Sequence, residues 1–450
     1  MGANDRDRLS TALEEELARF GNEHPRSREL YERAERSLVG GVPMPWMMRW
    51  AGGFPIFLDT ASGATVSDVD GNTYADLCLG DTGAMTGHGP PAVVEAVARQ
   101  AARGITTMLP TEDAAWVGEE LARRFRVPRW LLTLTATDAN RTALRVCREV
   151  TGRSKVLVYS YCYHGTVDEA FAVAGPEGTR SRSGNVGPPV DPAQTTVAVE
   201  FNDAAALETA LASGEIACVL AEPAMTNMGI VLPDPGYHDR LRALTRDADA
   251  LLIIDETHTF SAGPGGCTEA WGLEPDLVTI GKAIGSGVPA GALGLSAEVA
   301  ERMLGDVDAD YEDTGGVGGT LAGNALSVAA VRATLEQVLT EDAFDRMIPL
   351  AGRFREGVED VIEAHGLPWS VVQLGCRAEY RFQAPPARSG TEAHEASDPE
   401  LERYLHLHAL NRGVLLTPFH NMALMSPQTT AGDVDLHTES FADAVAAVVG

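Results

Sequence analysis

Three short apolar runs, each bounded by a charge or a glycine, constrain this chain more tightly than any other feature. Residues 251–254 (LLII) stop at Asp255-Glu256, and residues 277–280 (LVTI) stop at Gly281-Lys282. Residues 292–295 (ALGL) follow a loop carrying Gly285, Gly287, Pro289 and Gly291. Apolar runs of this length between turn residues read as buried strands. An acid and a lysine therefore stand at the ends of neighbouring strands, where open α/β sheets hold their ligands. Further strands are predicted at 130–135, 156–160, 196–201 and 217–221, with helices at 138–150 and 237–245 among them. Repeated βα units imply an α/β fold whose mainly parallel sheet is covered by helices.

A lysine after a strand is commonly a solvated loop residue. Here Gly281 and Ala283 permit close backbone approach, and the glycine-rich loop behind them constrains the segment. An amine that forms a Schiff base needs such approach and partial desolvation. An acid on the adjacent strand end suits a cofactor with a ring nitrogen to protonate. Pyridoxal phosphate (PLP) has that nitrogen, and a Lys with an Asp partner is its usual clamp.

Asp255-Glu256 followed by Gly281-Lys282 resembles the class III aminotransferases, PLP enzymes of fold type I. The resemblance runs from about residue 38 to the end of the chain. It points most to the branch of glutamate-1-semialdehyde aminomutase and the ω-amine or β-amino-acid aminotransferases. It implies a large PLP-binding domain at 76–330. An N-terminal arm with part of a small α+β domain lies at 1–75, and the rest of that domain at 331–450.

The resemblance also assigns residues. Lys282, Asp255 and Tyr163 are the catalytic set. Thr135-Ala136-Thr137-Asp138-Ala139 stands where the family has a Ser-Gly-Thr-Glu-Ala phosphate cradle, with Ala136 in place of glycine and Thr137 kept. Read by itself, that stretch is either an anion-binding helix N-terminus or an ordinary N-cap. Tyr163, in Tyr163-His164-Gly165, matches the ring-stacking aromatic; packing in the core or in a substrate wall is the other reading. Glu222-Pro223 matches a carboxylate on the cofactor's oxygen side, and Thr257 replaces a common valine. Thr320, in Gly318-Gly319-Thr320, would reach the phosphate of a neighbouring subunit's cofactor. That implies a homodimer or higher assembly with a composite site, and residues 315–319, with Val317 among them, would be its interface loop.

Bulk properties narrow the setting. The formal charge is −29, from 64 acidic and 35 basic residues, which argues against nucleic acid and anionic membrane as partners. No apolar run approaches the roughly 18 residues that cross a bilayer. The six cysteines show no CxxC pairing, as expected of reduced thiols in a cytoplasmic protein, and no metal site is expected.

The ends of the chain read as helices and small strands. Leu9, Leu13, Leu17 and Phe20 mark one face of a first helix, Ser27 is expected to cap a second, and residues 383–398 read as a polar, mobile loop.

Departures from the family set the substrate expectation. Where relatives carry a carboxylate-binding arginine, this chain has Pro45-Trp46-Met47-Met48, with Arg49 displaced, and its C-terminal Pro418 is followed by Phe419-His420. Trp46, Met48, Met85 and Phe419 suit a bulky apolar group, while Arg49, Arg377 or His420 could anchor a carboxylate. The expected activity is an aminotransferase moving an amino group between a hydrophobic amine or ω/β-amino acid and an oxo acid. The alternative is an aminomutase of the glutamate-1-semialdehyde type, and the last option is a non-catalytic protein on this fold.

Overall fold

The computed structural model describes residues 3–304 and 318–449. The chain forms two compact units. The first comprises Met1–Pro90, Asp345–Pro386 and Ala396–Gly450; the second comprises Pro91–Phe344 and Ala387–Glu395.

The second unit is built on a seven-stranded sheet. Its strands are β1 (Arg129–Thr133), β2 (Lys155–Tyr159), β3 (Thr196–Val199), β4 (Ile216–Ala221), β5 (Leu251–Asp255), β6 (Leu277–Ile280) and β7 (Gly291–Leu295). Their spatial order is β1-β7-β6-β5-β4-β2-β3. From β6 to β3 every neighbouring pair is parallel, while β7 runs antiparallel between β6 and β1. The reason is chain length. Residues 281–290 join β6 to β7 with less chain than the dozen or more residues a parallel crossover needs.

Strands β4, β6 and β7 are buried at every position, as a sheet covered on both faces requires. The helix Ala136–Thr151 supplies much of one cover through Ala139, Ala143, Leu144 and Cys147, all essentially inaccessible. Pairing of Asp255 with Thr279 and of Ile254 with Ala221 leaves β4, β5 and β6 ending level. The residues just past them, Glu222, Glu256 and Gly281, therefore share one edge of the sheet.

The first unit holds two smaller sheets. One orders Leu58–Ser62, Thr65–Asp68, Thr73–Asp76 and Val414–Leu415; the other orders Ser370–Leu374, Arg377–Arg381 and Met422–Leu424. Backbone hydrogen bonds from Leu77 to Leu415 and between Gly63 and His88 carry the stretch 76–90 with this unit. Leu9, Leu13 and Phe20 of the helix Ala3–Glu23 are buried, and Leu17 is half-buried.

Two local expectations are corrected. Ser27 does not cap the second helix, which begins at Pro25 with His24 at its N-cap. Proline fits a first turn because its missing N–H has no partner there anyway. Ser27 Oγ instead donates to Asp70 Oδ2 at 2.6 Å. Within 383–398, residues Gly390–Glu395 form a helix, and Ala387–Glu395 belongs to the second unit. Asn202 Nδ2 donates to the Arg388 carbonyl at 2.9 Å, and Thr391 Oγ1 donates to Glu200 Oε1 at 2.6 Å. Composition signalled a loop; long-range hydrogen bonds fasten it.

No helix among the described residues is long and apolar enough to cross a membrane. The six cysteines are buried and unbonded.

Candidate active site

Asp255 closes β5 and is buried. Its Oδ2 accepts from His164 Nδ1 at 2.8 Å and from Asn140 Nδ2 at 2.8 Å, and its Oδ1 accepts the Thr257 N–H at 3.0 Å. Burial alone would raise this carboxyl. The hydrogen bond and charge of His164, with the bonds from Thr257 and Asn140, outweigh it and bring the pKa down to about 2. Burial likewise opposes a charge on His164, but the neighbouring Cys162 sulfur and Asp255 raise it well above an ordinary histidine. Asn140 is itself oriented, since its Oδ1 accepts from Thr279 Oγ1 at 2.7 Å. The result is a fixed anion at the sheet edge.

The helix Ala136–Thr151 begins beside it. Thr135 caps the helix, its Oγ1 accepting the Asp138 N–H at 3.2 Å. Thr137 Oγ1 accepts the Thr166 N–H at 3.3 Å. Two glycines let neighbouring chain approach this end. A Cβ on Gly165 would lie 2.0 Å from Thr137 Oγ1, and one on Gly281 would lie 2.9 Å from the Ala136 nitrogen. Free N–H groups at such an end suit a phosphate.

Lys282 follows Gly281 and is half-buried, with φ of 50°, a conformation non-glycine residues rarely adopt. Its Nζ lies 2.8 Å from His258 Nε2, at hydrogen-bond distance. Glu222 is buried just past β4 and accepts from Thr226 Oγ1. Tyr163 is half-buried, its ring centroid 6.5 Å from that of Phe171. Thr257 Oγ1 is buried and has no hydrogen-bond partner among the described residues. Thr320 is exposed, in a turn closed by the Ala322 N–H to the Gly319 carbonyl at 2.9 Å. Gly315, Gly316 and Val317 lie outside the described residues.

The second unit thus gathers Lys282, Asp255, Thr257, Ala136 and Thr137. Sequence reasoning gave no role to Asn140, His164 or His258. Asn140 left a signal, a polar residue on the helix face that carries Ala139 and Ala143. His258 left another, since it stands three residues past Asp255 as Lys282 stands three past Thr279.

The remaining candidates lie in the first unit. The rings of Trp46 and Phe419 are 5.2 Å apart, and the Arg49 guanidinium sits over Phe419 at 5.5 Å. His420 Nδ1 is 3.2 Å from Glu379 Oε1. Met48 is 45% exposed, whereas Met85 is wholly inaccessible, its sulfur 3.8 Å from Cys376 Sγ. Arg377 is also wholly inaccessible.

Residues 46–445 match the family model described as aminotransferase class-III. A glutamate-1-semialdehyde 2,1-aminomutase from Sorangium cellulosum is 35% identical over 431 residues, covering 94% of this chain and 97% of that protein. A glutamate-1-semialdehyde-aminomutase structure from Pseudomonas aeruginosa PAO1, in complex with PMP, superposes with a TM-score of 0.95 at 49% identity, covering 98% of this chain and 99% of that one. An omega-transaminase from Sphaerobacter thermophilus superposes with a TM-score of 0.86 at 28% identity, covering 94% and 98%.

These findings overturn the expectation of an aminotransferase for hydrophobic amines or ω/β-amino acids. Curated relatives at 33–36% identity and the structure at 49% bear the aminomutase name. The physical reason is twofold. A lysine and an aspartate at strand ends serve both reaction types, so they do not separate them. The apolar residues read as one pocket are also dispersed, with Met48 in solvent and Met85 in a core.

Proposed function

The chain belongs to the class-III aminotransferases and uses pyridoxal phosphate, and from that premise we propose that it is an aminomutase acting on an acid that carries an aldehyde beside its amine, of the glutamate-1-semialdehyde class. One observation carries this reading: identity is 49% to an aminomutase structure and 28% to an omega-transaminase structure, each over nearly the whole chain. In such a reaction the amine and oxo functions exchange places between C2 and C1, one water being released at C1 and one taken up at C2, so glutamate-1-semialdehyde would give 5-amino-4-oxopentanoate, an isomer.

The residues present fit the cofactor. Asp255 offers a buried, ionised carboxylate for a protonated ring nitrogen. Thr257, buried beside Asp255, places a hydroxyl at this edge, and Gly165 and Gly281 clear the helix end that would take the phosphate. Lys282 would hold the cofactor's aldehyde carbon, and Glu222 and Tyr163 would flank the ring. When bound, pyridoxal phosphate supplies an electron sink for charge developing on the substrate carbon. Asp255 keeps that sink protonated, with His164 and Asn140 keeping Asp255 charged and oriented. Lys282, released from the cofactor, moves a proton to and from the substrate carbon. In the first unit, Arg49 is exposed beside an aromatic ring and has the chemistry for a carboxylate, whereas Arg377 is sealed from solvent.

Two finer readings go with this one. A homodimer is supported by exposed Ile105, Met108, Leu109 and Leu321, with the Ile105 carbonyl accepting the Ala325 N–H at 3.0 Å. Thr320 would then serve a second copy's cofactor. Six buried, unbonded thiols support a reducing compartment such as the cytoplasm.

The test supplies purified enzyme with glutamate-1-semialdehyde and no amino donor or acceptor, and follows the mixture by NMR. The expected outcome is many turnovers to 5-amino-4-oxopentanoate. Turnover that stops after one equivalent and resumes only with an added oxo acid would overturn the aminomutase reading.

A further inference from the structure

We propose that His258 is the proton partner of Lys282, taking a proton from the lysine amine and returning it during turnover. The inference rests on the assignment of Lys282 as the reactive amine. It does not depend on which substrate the enzyme takes.

The placement follows from sheet register. β5 and β6 are parallel and pair Asp255 with Thr279. Three residues beyond each lie His258 and Lys282, past the same edge of the sheet. Both turns that carry them are constrained. Glu256 is wholly buried, and its carboxylate accepts from Thr259 Oγ1 and Thr268 Oγ1 at 2.5 and 2.6 Å and from the Cys267 N–H at 3.1 Å. Those bonds tie the chain on both sides of His258. On the other strand, Lys282 is held at φ of 50° after Gly281, where a side chain would collide with Ala136. Two rigid turns thus set Nζ and Nε2 at 2.8 Å, and both side chains are half-buried.

The chemistry of the pair follows from this contact. A lysine ammonium has no lone pair, so it can neither attack a carbonyl carbon nor accept a proton from a substrate carbon. When its proton moves to His258, one Nζ–H bond breaks and one Nε2–H bond forms, the positive charge passes to the imidazole, and the amine is left neutral. Two full cations at 2.8 Å would repel, so the contact suits one proton lying between the two nitrogens. The ionisable groups on the elements around it are Asp255 and Glu256 on its own turn, Glu222 past β4, His164 and Tyr163 past β2, and Asp138 in the first turn of the helix Ala136–Thr151. Nε2 accepts the proton only when the neutral ring carries its hydrogen on Nδ1, and the 2.8 Å contact requires that tautomer whenever Lys282 donates.

The test compares wild type with His258→Met and His258→Gln, all as full-length chains. Methionine fills the site without accepting a proton, and glutamine accepts a hydrogen bond without titrating. The first readout is the rate at which an acylating reagent labels Lys282 in cofactor-free protein between pH 5 and 10, read by peptide mass spectrometry. Wild type is expected to label about tenfold faster than His258→Met near pH 7.5, with an inflection in the imidazole range that both variants lack. The second readout is the pH profile of kcat for the holoenzyme, with His258→Met reduced on the order of a hundredfold. Equal labelling in all three proteins overturns the proposal, and so does full restoration by glutamine, which would reduce His258 to a positioning role. If the methionine variant does not fold, the glutamine variant carries the same comparison. Labelling needs no substrate. His258-dependent labelling in a protein that leaves glutamate-1-semialdehyde untouched would therefore sink the aminomutase reading and leave this inference standing.

Discussion

Asp255 keeps its charge in a place where burial would remove it. His164, Asn140 and the Thr257 N–H supply the compensation. The folded pKa, about 2, lies below the ordinary 3.8. For a depressed carboxyl, the stabilisation is present above the unfolded value and is lost as pH falls through the folded one. Asp255 thus contributes about 2 kcal/mol that disappears between roughly pH 4 and pH 2. Asp255→Asn is expected to flatten that part of the acid denaturation curve, followed by circular dichroism. With cofactor bound it should lower kcat by about 10²–10³-fold, because a buried charge is replaced by a neutral amide. A wild-type kcat would remove Asp255 from its role. At this scale the sequence exposed only half the arrangement. Asp255 and Lys282 stand out where apolar runs end. Asn140 and His164 sit inside an ordinary helix and loop, and only folding brings them to the carboxylate.

Among the elements, the helix Ala136–Thr151 depends on what packs against its first turn. Gly165 has φ of 79° and Gly214 has φ of 70°, so alanine strains the backbone at both. They differ in space: an added Cβ meets Thr137 Oγ1 at 2.0 Å from Gly165 and meets nothing within 4 Å from Gly214. Gly214→Ala is therefore expected to cost about 1 kcal/mol, and Gly165→Ala roughly 1–3 kcal/mol more. Thermal melts with and without pyridoxal phosphate check this, and only Gly165→Ala should also lose cofactor-induced stabilisation. Equal behaviour of the two variants would show that the helix end tolerates the intrusion. Most strands were legible because apolar runs between turn residues are local signals, and predicted limits lie within about two residues of those observed. The antiparallel course of β7 was less so, since it is set by the length of 281–290 and not by composition. The helix at Gly390–Glu395 was missed altogether, because the partners that fasten it and the residues before it, Glu200 to Thr391 and Asn202 to Arg388, are remote in sequence.

For the whole molecule, a formal charge of −29 favours solubility and disfavours polyanionic partners. The proposed homodimer would then be held by local apolar surface, such as exposed Ile105, Met108, Leu109 and Leu321. If the proposed composite dimer forms, Thr320→Ala is expected to leave its mass unchanged by light scattering while speeding cofactor loss about tenfold, the effect of one hydrogen bond to a charged phosphate. Unaltered cofactor retention would remove Thr320 from the composite site. The sequence by itself determined the α/β architecture and the residue types at the strand ends, because period, propensity and turn chemistry act over a few neighbouring residues. Tertiary structure decided which side chains complete the site. The contacts of Asp255 with Asn140 and His164 span 115 and 91 residues, and that of Lys282 with His258 spans 24. Each depends on strand register and helix docking, which no local stretch of chain specifies.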